Sequence, residues 1–200
     1  LVDEGFLAPL ISPKTKTTID LTGVRVQGGE FVLTDLAAAT DREEITEAAL
    51  KEVFEHGQDR LHWLLFATSI EHAGHVRDMV EAMGETCGLV HSKLSDEDRD
   101  QVLHDFKSGV YRSCVNVGIL TTGFDFIGVI RATCSPLLWV QMLGRGTRPS
   151  EGKADCVVLD FGGNTQRLGP VNDPVIPKKK GTKGGGVAPV RCCEECDNFI

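Results

Sequence analysis

Three side chains in the second half of the chain could meet anionic oxygen together. Gln141, Arg145 and Arg148 stand at i, i+4 and i+7, the spacing of one helical face. Ser135 is a good N-cap and Pro136 suits the first helical position, so a helix is predicted to open there and to end at Pro149. Gly144 and Gly146 fall inside that predicted helix, each at a cost of roughly 1 kcal/mol relative to Ala. Their missing side chains would let a ligand or another backbone approach closely. The competing reading is an exposed helix end with two solvated arginines, and for a bare R-x-x-R it would be the better one. Three other clusters bear on the choice. Thr121-Thr122-Gly123-Phe124-Asp125 offers two hydroxyls and the turn amides beside Gly123 to a backbone phosphate. An ordinary Asp-containing turn is the alternative. Thr68 and Ser69 fall at a predicted strand end and helix start, where free amides attract phosphate, although capping alone would account for Ser69. Cys193-x-x-Cys196 is half of a zinc ribbon, and a structural zinc takes four ligands. No G-x-x-x-x-G-K-[ST] and no Walker B sequence occurs, so the usual cradle for a nucleotide's phosphates is not in this sequence.

Leu64-Leu-Phe-Ala-Thr-Ser69, Val115-Asn-Val-Gly-Ile-Leu-Thr-Thr-Gly-Phe-Asp125 and Gln141-Met-Leu-Gly-Arg-Gly-Thr-Arg-Pro149 resemble motifs IV, V and VI of superfamily 2 helicases and translocases, in the family's order. The wording, with Leu-Thr-Thr-Gly-Phe-Asp, the Ser-Pro before motif VI and a Cys-rich tail, most resembles the RadD (YejH) type of bacterial DNA-repair helicase and its phage relatives. The resemblance implies the second of two RecA-like domains. It implies that Arg148, with Arg145, acts as an arginine finger toward ATP and Mg²⁺ held mainly by the first domain, and that Gln141 orients the loop or touches the nucleotide. Asp125, beside Gly123, would face the nucleotide. Thr68, Ser69, His91, Ser92, Thr121 and Thr122 would contact the nucleic-acid strand. For His91 a satisfied loop histidine is the alternative, and for Arg99, where the family often carries an arginine, an ion pair with Asp96 or Asp100. Cys193 and Cys196 would belong to a Zn²⁺ segment that follows the motor. The implied partners are DNA, the first RecA-like domain of the same protein, and a single-strand-binding or repair protein. The implied place is bacterial or phage-infected cytoplasm, at the nucleoid. The segment between Asp125 and Ser135 is a few residues shorter than the family's.

These residues need elements to hold them. Thr40-x-x-Glu43 reads as a capping box opening a helix through about His56, with Gly57 as its stop. Leu61 to Ala67 is a short, nearly continuous apolar run, as expected of a strand buried on both faces. Ser69 caps a predicted helix carrying Ala73, Val76, Val80 and Met83 at helical spacing, and Gly84 ends it. Further strands are predicted at Thr86–Val90, Ser113–Val117, Val129–Thr133 and Cys156–Asp160. A helix capped by Ser95 and ended by Gly109 lies between the first two. Strands alternating with helices imply an α/β fold with a parallel sheet flanked by helices and ligands at the carboxyl ends of its strands, and the resemblance implies that this sheet is RecA-like.

Composition sets the remaining bounds. A net charge of −8 argues against a strongly basic nucleic-acid binder, so local patches must do any such work. Residues 1–60 carry 12 acidic against 6 basic side chains, whereas 178–183 read Lys-Lys-Lys-Gly-Thr-Lys. No apolar run is long enough for a membrane span. Cys87, Cys114, Cys134 and Cys156 lie in apolar or strand-like stretches and read as buried free thiols of a reducing compartment. The expected organisation is a linker and helix over 1–57, the RecA-like domain over 58–168, a flexible basic linker over 169–191, and a partial zinc-ribbon segment over 192–200. The first residue is Leu with no signal-peptide pattern after it, which reads as a fragment or a processed chain. Two other functions fit the same residues. One is the motor subunit of a restriction system. The other is a degenerate RecA-like module that binds nucleic acid or protein without motor activity.

Overall fold

Leu64 and Leu65 face opposite sides of one sheet, and this alternation organises the molecule. The computed structural model describes residues 2, 4–118, 124–171 and 174. Its elements are β1 (Leu10–Ile11), β2 (Val26–Gln27), β3 (Glu30–Phe31), α1 (Leu33–Thr40), α2 (Glu43–His56), β4 (Trp63–Phe66), α3 (Ile70–Ala82), β5 (Cys87–His91), α4 (Asp96–Lys107), β6 (Ser113–Val117), β7 (Phe126–Val129), α5 (Pro136–Leu143), β8 (Cys156–Asp160) and α6 (Asn164–Leu168). Six strands form one parallel sheet in the order β1-β8-β7-β4-β6-β5. The α/β fold with a parallel sheet expected from the alternation is therefore present.

Helices cover both faces, which is why the central strands are apolar throughout. On one face Leu65, Val115, Phe126 and Leu159 pack with Ala49, Leu50 and Val53 of α2 and Ala73, Val76 and Val80 of α3. On the other, Leu64, Phe66, Ile127 and Val158 pack with Phe106 of α4 and Trp139 and Met142 of α5. Full burial of a Leu or Phe side chain stabilises by about 1.5–3 kcal/mol, so these two layers are the main source of cohesion. Burial also holds the Cys87 and Cys156 thiols at about 12 and pushes Cys114 up. Cys134, expected inside, is only half-buried. Among the described residues no helix is long and apolar enough to cross a membrane.

Three expectations need correction. Thr40 does not cap α2. It closes α1, its hydroxyl turned back to the Leu36 carbonyl at 2.9 Å, and α2 starts after Arg42 with no side-chain cap. The strand predicted at Val129–Thr133 lies earlier, at Phe126–Val129, because the short segment after Asp125 leads directly into the sheet. The motif VI helix stops at Leu143 rather than running to Pro149. Among the residues before 58, β1 pairs with β8, and α2 supplies much of one core layer.

Candidate functional site

The sheet brings the candidate residues to two opposite edges. At the amino ends of the strands lie Asp125 and the turn that carries the arginines. At the carboxyl ends lie Thr68, Ser69, His91 and Ser92. Six residue steps of near-extended chain lead from His62 to Thr68, a span of about 20 Å.

The amino edge is built around the end of α5. Ser135 caps this helix by accepting from Leu138 N at 3.2 Å, with Pro136 at its first position. Buried Trp139 donates its indole N–H to the Gly169 carbonyl at 3.0 Å, which fixes the helix against the chain beyond β8. Past Leu143 the backbone tightens: Gly146 N donates to Leu143 O at 2.8 Å and Arg145 N to Met142 O at 3.4 Å, closures of three residues rather than four. Two glycines remove the preference for continuing the helix, and Gly146 has a second task. A Cβ there would lie 2.7 Å from Cys156 Sγ and 2.9 Å from Ile127 Cδ1. The missing side chain lets the turn lie against the sheet, not against a ligand.

Lys153 then clamps the turn. Its Nζ donates to the Gly146 carbonyl at 2.5 Å and the Arg148 carbonyl at 2.9 Å. Thr147 Oγ1 donates to Gly144 O at 3.1 Å, and Ala8 N donates to Thr147 O at 2.7 Å. With the backbone held at so many points, the side chains are left outward. Gln141 and Arg148 are exposed and Arg145 is half-buried. They do not share one helical face, because Arg145 and Arg148 lie beyond the helix end. Burial first, and the neighbouring charge of Arg148 second, lower the Arg145 pKa. No hydrogen bond or ion pair among the described residues engages either guanidinium. Two like charges held close with no carboxylate between them are suited to an anion with several oxygens, such as a phosphate group.

Asp125 sits beneath this turn. Its two carboxylate oxygens accept from Leu61 N and His62 N, each at 2.8 Å, where the chain enters β4. Asp125 thus organises the same edge through backbone amides, beside the Arg60–Asp155 ion pair at 2.5 Å. Thr121, Thr122 and Gly123 lie outside the described residues, as do Cys193 and Cys196. Among the described residues no three His, Cys, Asp or Glu side chains are grouped to hold a metal ion.

At the carboxyl edge, Ser69 caps α3 by accepting from His72 N at 3.1 Å. Thr68 is turned inward, only 3% exposed, with its hydroxyl 3.0 Å from the Thr40 hydroxyl and its N–H donated to His72 Nδ1 at 3.3 Å. Its side chain and its N–H are therefore committed to the protein. His91 ends β5 and accepts from Lys93 N at 3.2 Å, with Ser92 exposed in the turn that follows. Arg99 takes the bland alternative, pairing with Asp96 at 2.9 Å.

Two residues that shape these edges carried no expectation. Lys153 follows the motif region in a polar loop and has no helical or strand period to mark it. His72 was legible in principle. It lies one turn after Ser69, on the apolar face with Ala73 and Val76, where a polar ring needs a partner.

Comparison with known proteins bears on both edges. A family model described as the helicase conserved C-terminal domain matches residues 45–149. A Saccharomyces cerevisiae protein named as an ATP-dependent helicase, IRC3, is 28% identical over 183 residues, covering 88% of this chain and 26% of its own length. A Schizosaccharomyces pombe protein named as a mitochondrial ATP-dependent helicase is 29% identical over 184 residues, covering 85% of this chain and 28% of its own length. The chain therefore spans about a quarter of these relatives. Among solved structures, the C-terminal domain of the DEAD-box protein Dbp5 has a TM-score of 0.51 at 14% identity, covering 60% of this chain and 71% of that one. The RNA helicase Prp28 from Chaetomium thermophilum bound to ADP has a TM-score of 0.51 at 17% identity, covering 60% and 31%. At such identities these likenesses speak for the fold.

Proposed function

Because this chain belongs to the family of helicase conserved C-terminal domains, we propose that it is the second motor domain of an ATP-dependent superfamily 2 DNA helicase or translocase acting in DNA repair. The observation that carries the reading is the Arg145–Arg148 turn, clamped from behind by Lys153 and bare of counter-charge in front. Arg148 and Arg145 lend positive charge to the γ-phosphoryl oxygens of ATP, with Mg²⁺, as charge spreads over them in the transition state. Gln141, exposed one turn earlier, orients the approach. Asp125 and Gly123 stand on the nucleotide side. Ser69, the Thr68 backbone, His91 and Ser92 form one stretch of the nucleic-acid track, and Thr121 and Thr122 another. On this reading 58–168 is the motor domain, 1–57 its entry, 169–191 a basic linker and 192–200 the start of a zinc segment on Cys193 and Cys196. The first motor domain supplies the P-loop, and a single-strand-binding or repair protein is the partner in the cell.

Steady-state ATPase of the complete protein with saturating DNA tests it. Arg148→Ala should leave nucleotide affinity nearly unchanged while kcat falls about 10³–10⁵-fold, the range of known arginine fingers. A kcat within about threefold of wild type, under half of a 1.4 kcal/mol decade, would remove Arg148 from the catalytic role. The isolated chain should hydrolyse no ATP above background, and clean DNA-stimulated hydrolysis by it would contradict the half-site reading.

A further inference from the structure

Arg131 has no place in the functions discussed so far, and its surroundings are unusual for an arginine. It follows β7 at the carboxyl edge. Ile130 N donates to Phe66 O at 2.9 Å, so Arg131 is the next residue beyond the last rung shared with β4, whose own continuation is Ala67-Thr68-Ser69. Its backbone is pinned. The Arg131 carbonyl accepts from Asn164 Nδ2 at 2.9 Å, and a Cβ at Gly162 would come within 2.2 Å of that same oxygen. The guanidinium, by contrast, makes no hydrogen bond among the described residues, and its Nε is sealed from solvent without a partner. Burial lowers its pKa, and only the charge of Glu30 pulls the other way.

Glu30, whose charge acts on Arg131, is occupied elsewhere, as are the charged groups around it. Glu30 Oε1 accepts from Phe31 N and Cys134 N, each at 2.8 Å, and Oε2 is held by the Thr133 hydroxyl. Arg167 is spent on the carbonyls of Thr133 and Gly162 and on Asn164 Oδ1, with its guanidinium over the Phe31 ring. Asp160 takes its donors from Asn164 and Thr165. A mostly buried cation left unpaired is costly, and such a group calls for a specific explanation.

We propose that Arg131 is a phosphate-contacting residue of the nucleic-acid track, its unpartnered guanidinium taking a phosphodiester oxygen of the strand that passes the Ser69 end of α3. A guanidinium suits a phosphodiester oxygen, and the Arg131 backbone lies one residue beyond the rung shared with the strand that leads to Ser69. This inference rests on the nucleic-acid-binding reading above. It adds a charged contact to an edge where Thr68 has turned its hydroxyl inward.

Binding of a fluorescent oligothymidylate to the chain, measured across a salt series, separates the possibilities. Wild type should bind with a log–log salt slope, and Arg131→Gln should bind on the order of tenfold more weakly, with a slope smaller by about 0.7, one phosphate contact on single-stranded nucleic acid. Arg131→Lys should keep most of the slope. In ¹⁵N-labelled wild type, the Arg131 Nε–H resonance, identified by its loss in Arg131→Gln, should shift as the oligonucleotide is added. This second readout needs no functional variant. An unchanged slope in a folded Arg131→Gln, or a Nε–H resonance that the oligonucleotide leaves in place, overturns the proposal while the track reading stands. That result would also fit a carboxylate of the first motor domain as the true partner. A wild-type chain that binds no oligonucleotide at any salt overturns the track reading itself, and Arg131 with it.

Discussion

Acid should loosen the carboxyl edge through one buried ring. His72 is fully buried in α3 and accepts the Thr68 N–H on Nδ1, so its proton sits on Nε2, which has no partner. Burial, the largest effect, lowers its pKa from 6.5 to about 4, against a smaller opposing pull from Asp41. The folded pKa is therefore below the unfolded one. As pH falls through the ordinary histidine range the unfolded chain takes up a proton that the folded chain refuses, and stability is lost until the folded ring protonates as well. A shift from 6.5 to about 4 corresponds to a loss of about 2 kcal/mol by pH 5 and about 3 kcal/mol by pH 4. Protonation of the folded ring, which comes only as pH approaches about 4, also destroys the acceptor for Thr68 N–H and frees the loop that carries Ser69. Urea unfolding of wild type and His72→Gln at pH 7 and pH 5 isolates this ring, since the titration of all shared groups cancels in the double difference. That includes His75, which Asp41 holds above its ordinary pKa and whose contribution runs in the opposite sense, fading as pH rises. Wild type should lose about 2 kcal/mol more than the variant. Equal losses would refute the argument that burial keeps His72 neutral.

Gly146→Ala should destabilise the chain by about 1–3 kcal/mol, the usual cost of an overpacked contact, because the new methyl meets Cys156 and Ile127; an unchanged urea midpoint would show that the turn can lift off the sheet freely. Lys153→Met should cost about 1–3 kcal/mol and, in the complete protein, lower kcat more than nucleotide affinity. If kcat holds while stability falls, Lys153 is structural only. Protein extended past Ile200 should bind one zinc, lost when Cys193 and Cys196 are both Ser. Metal analysis finding none in the extended protein would end the zinc reading.

The limits of the sequence reading follow from where local signals compete. Strand β4 was legible because it is a short apolar run buried on both faces, and β5, β6 and β8 lie close to where strands were expected. The caps at Ser69, Ser95 and Ser135 were legible because one hydroxyl bonds one nearby amide. Thr40 shows the same chemistry failing: its hydroxyl faces the preceding turn and Thr68, both closer than the next helix start. The arginines failed differently. Their spacing fits a helix, but the turn is set by Cys156, Ile127 and Lys153, which come from other parts of the chain. Helical spacing therefore missed the geometry of these side chains, two of which lie beyond the helix end. The difference matters for mechanism. Arginines on a helix would move only with the whole helix. Arginines on a turn tied to β8 through Gly146, and to the entry strand through Ala8 and Thr147, instead move with the sheet. The same sheet carries Arg131 and Ser69 at its other edge. On the proposed function, one sheet carrying the nucleotide-side and strand-side groups at its two ends gives a physical route by which a change at one edge can reach the other: tilting the domain as a unit moves both at once.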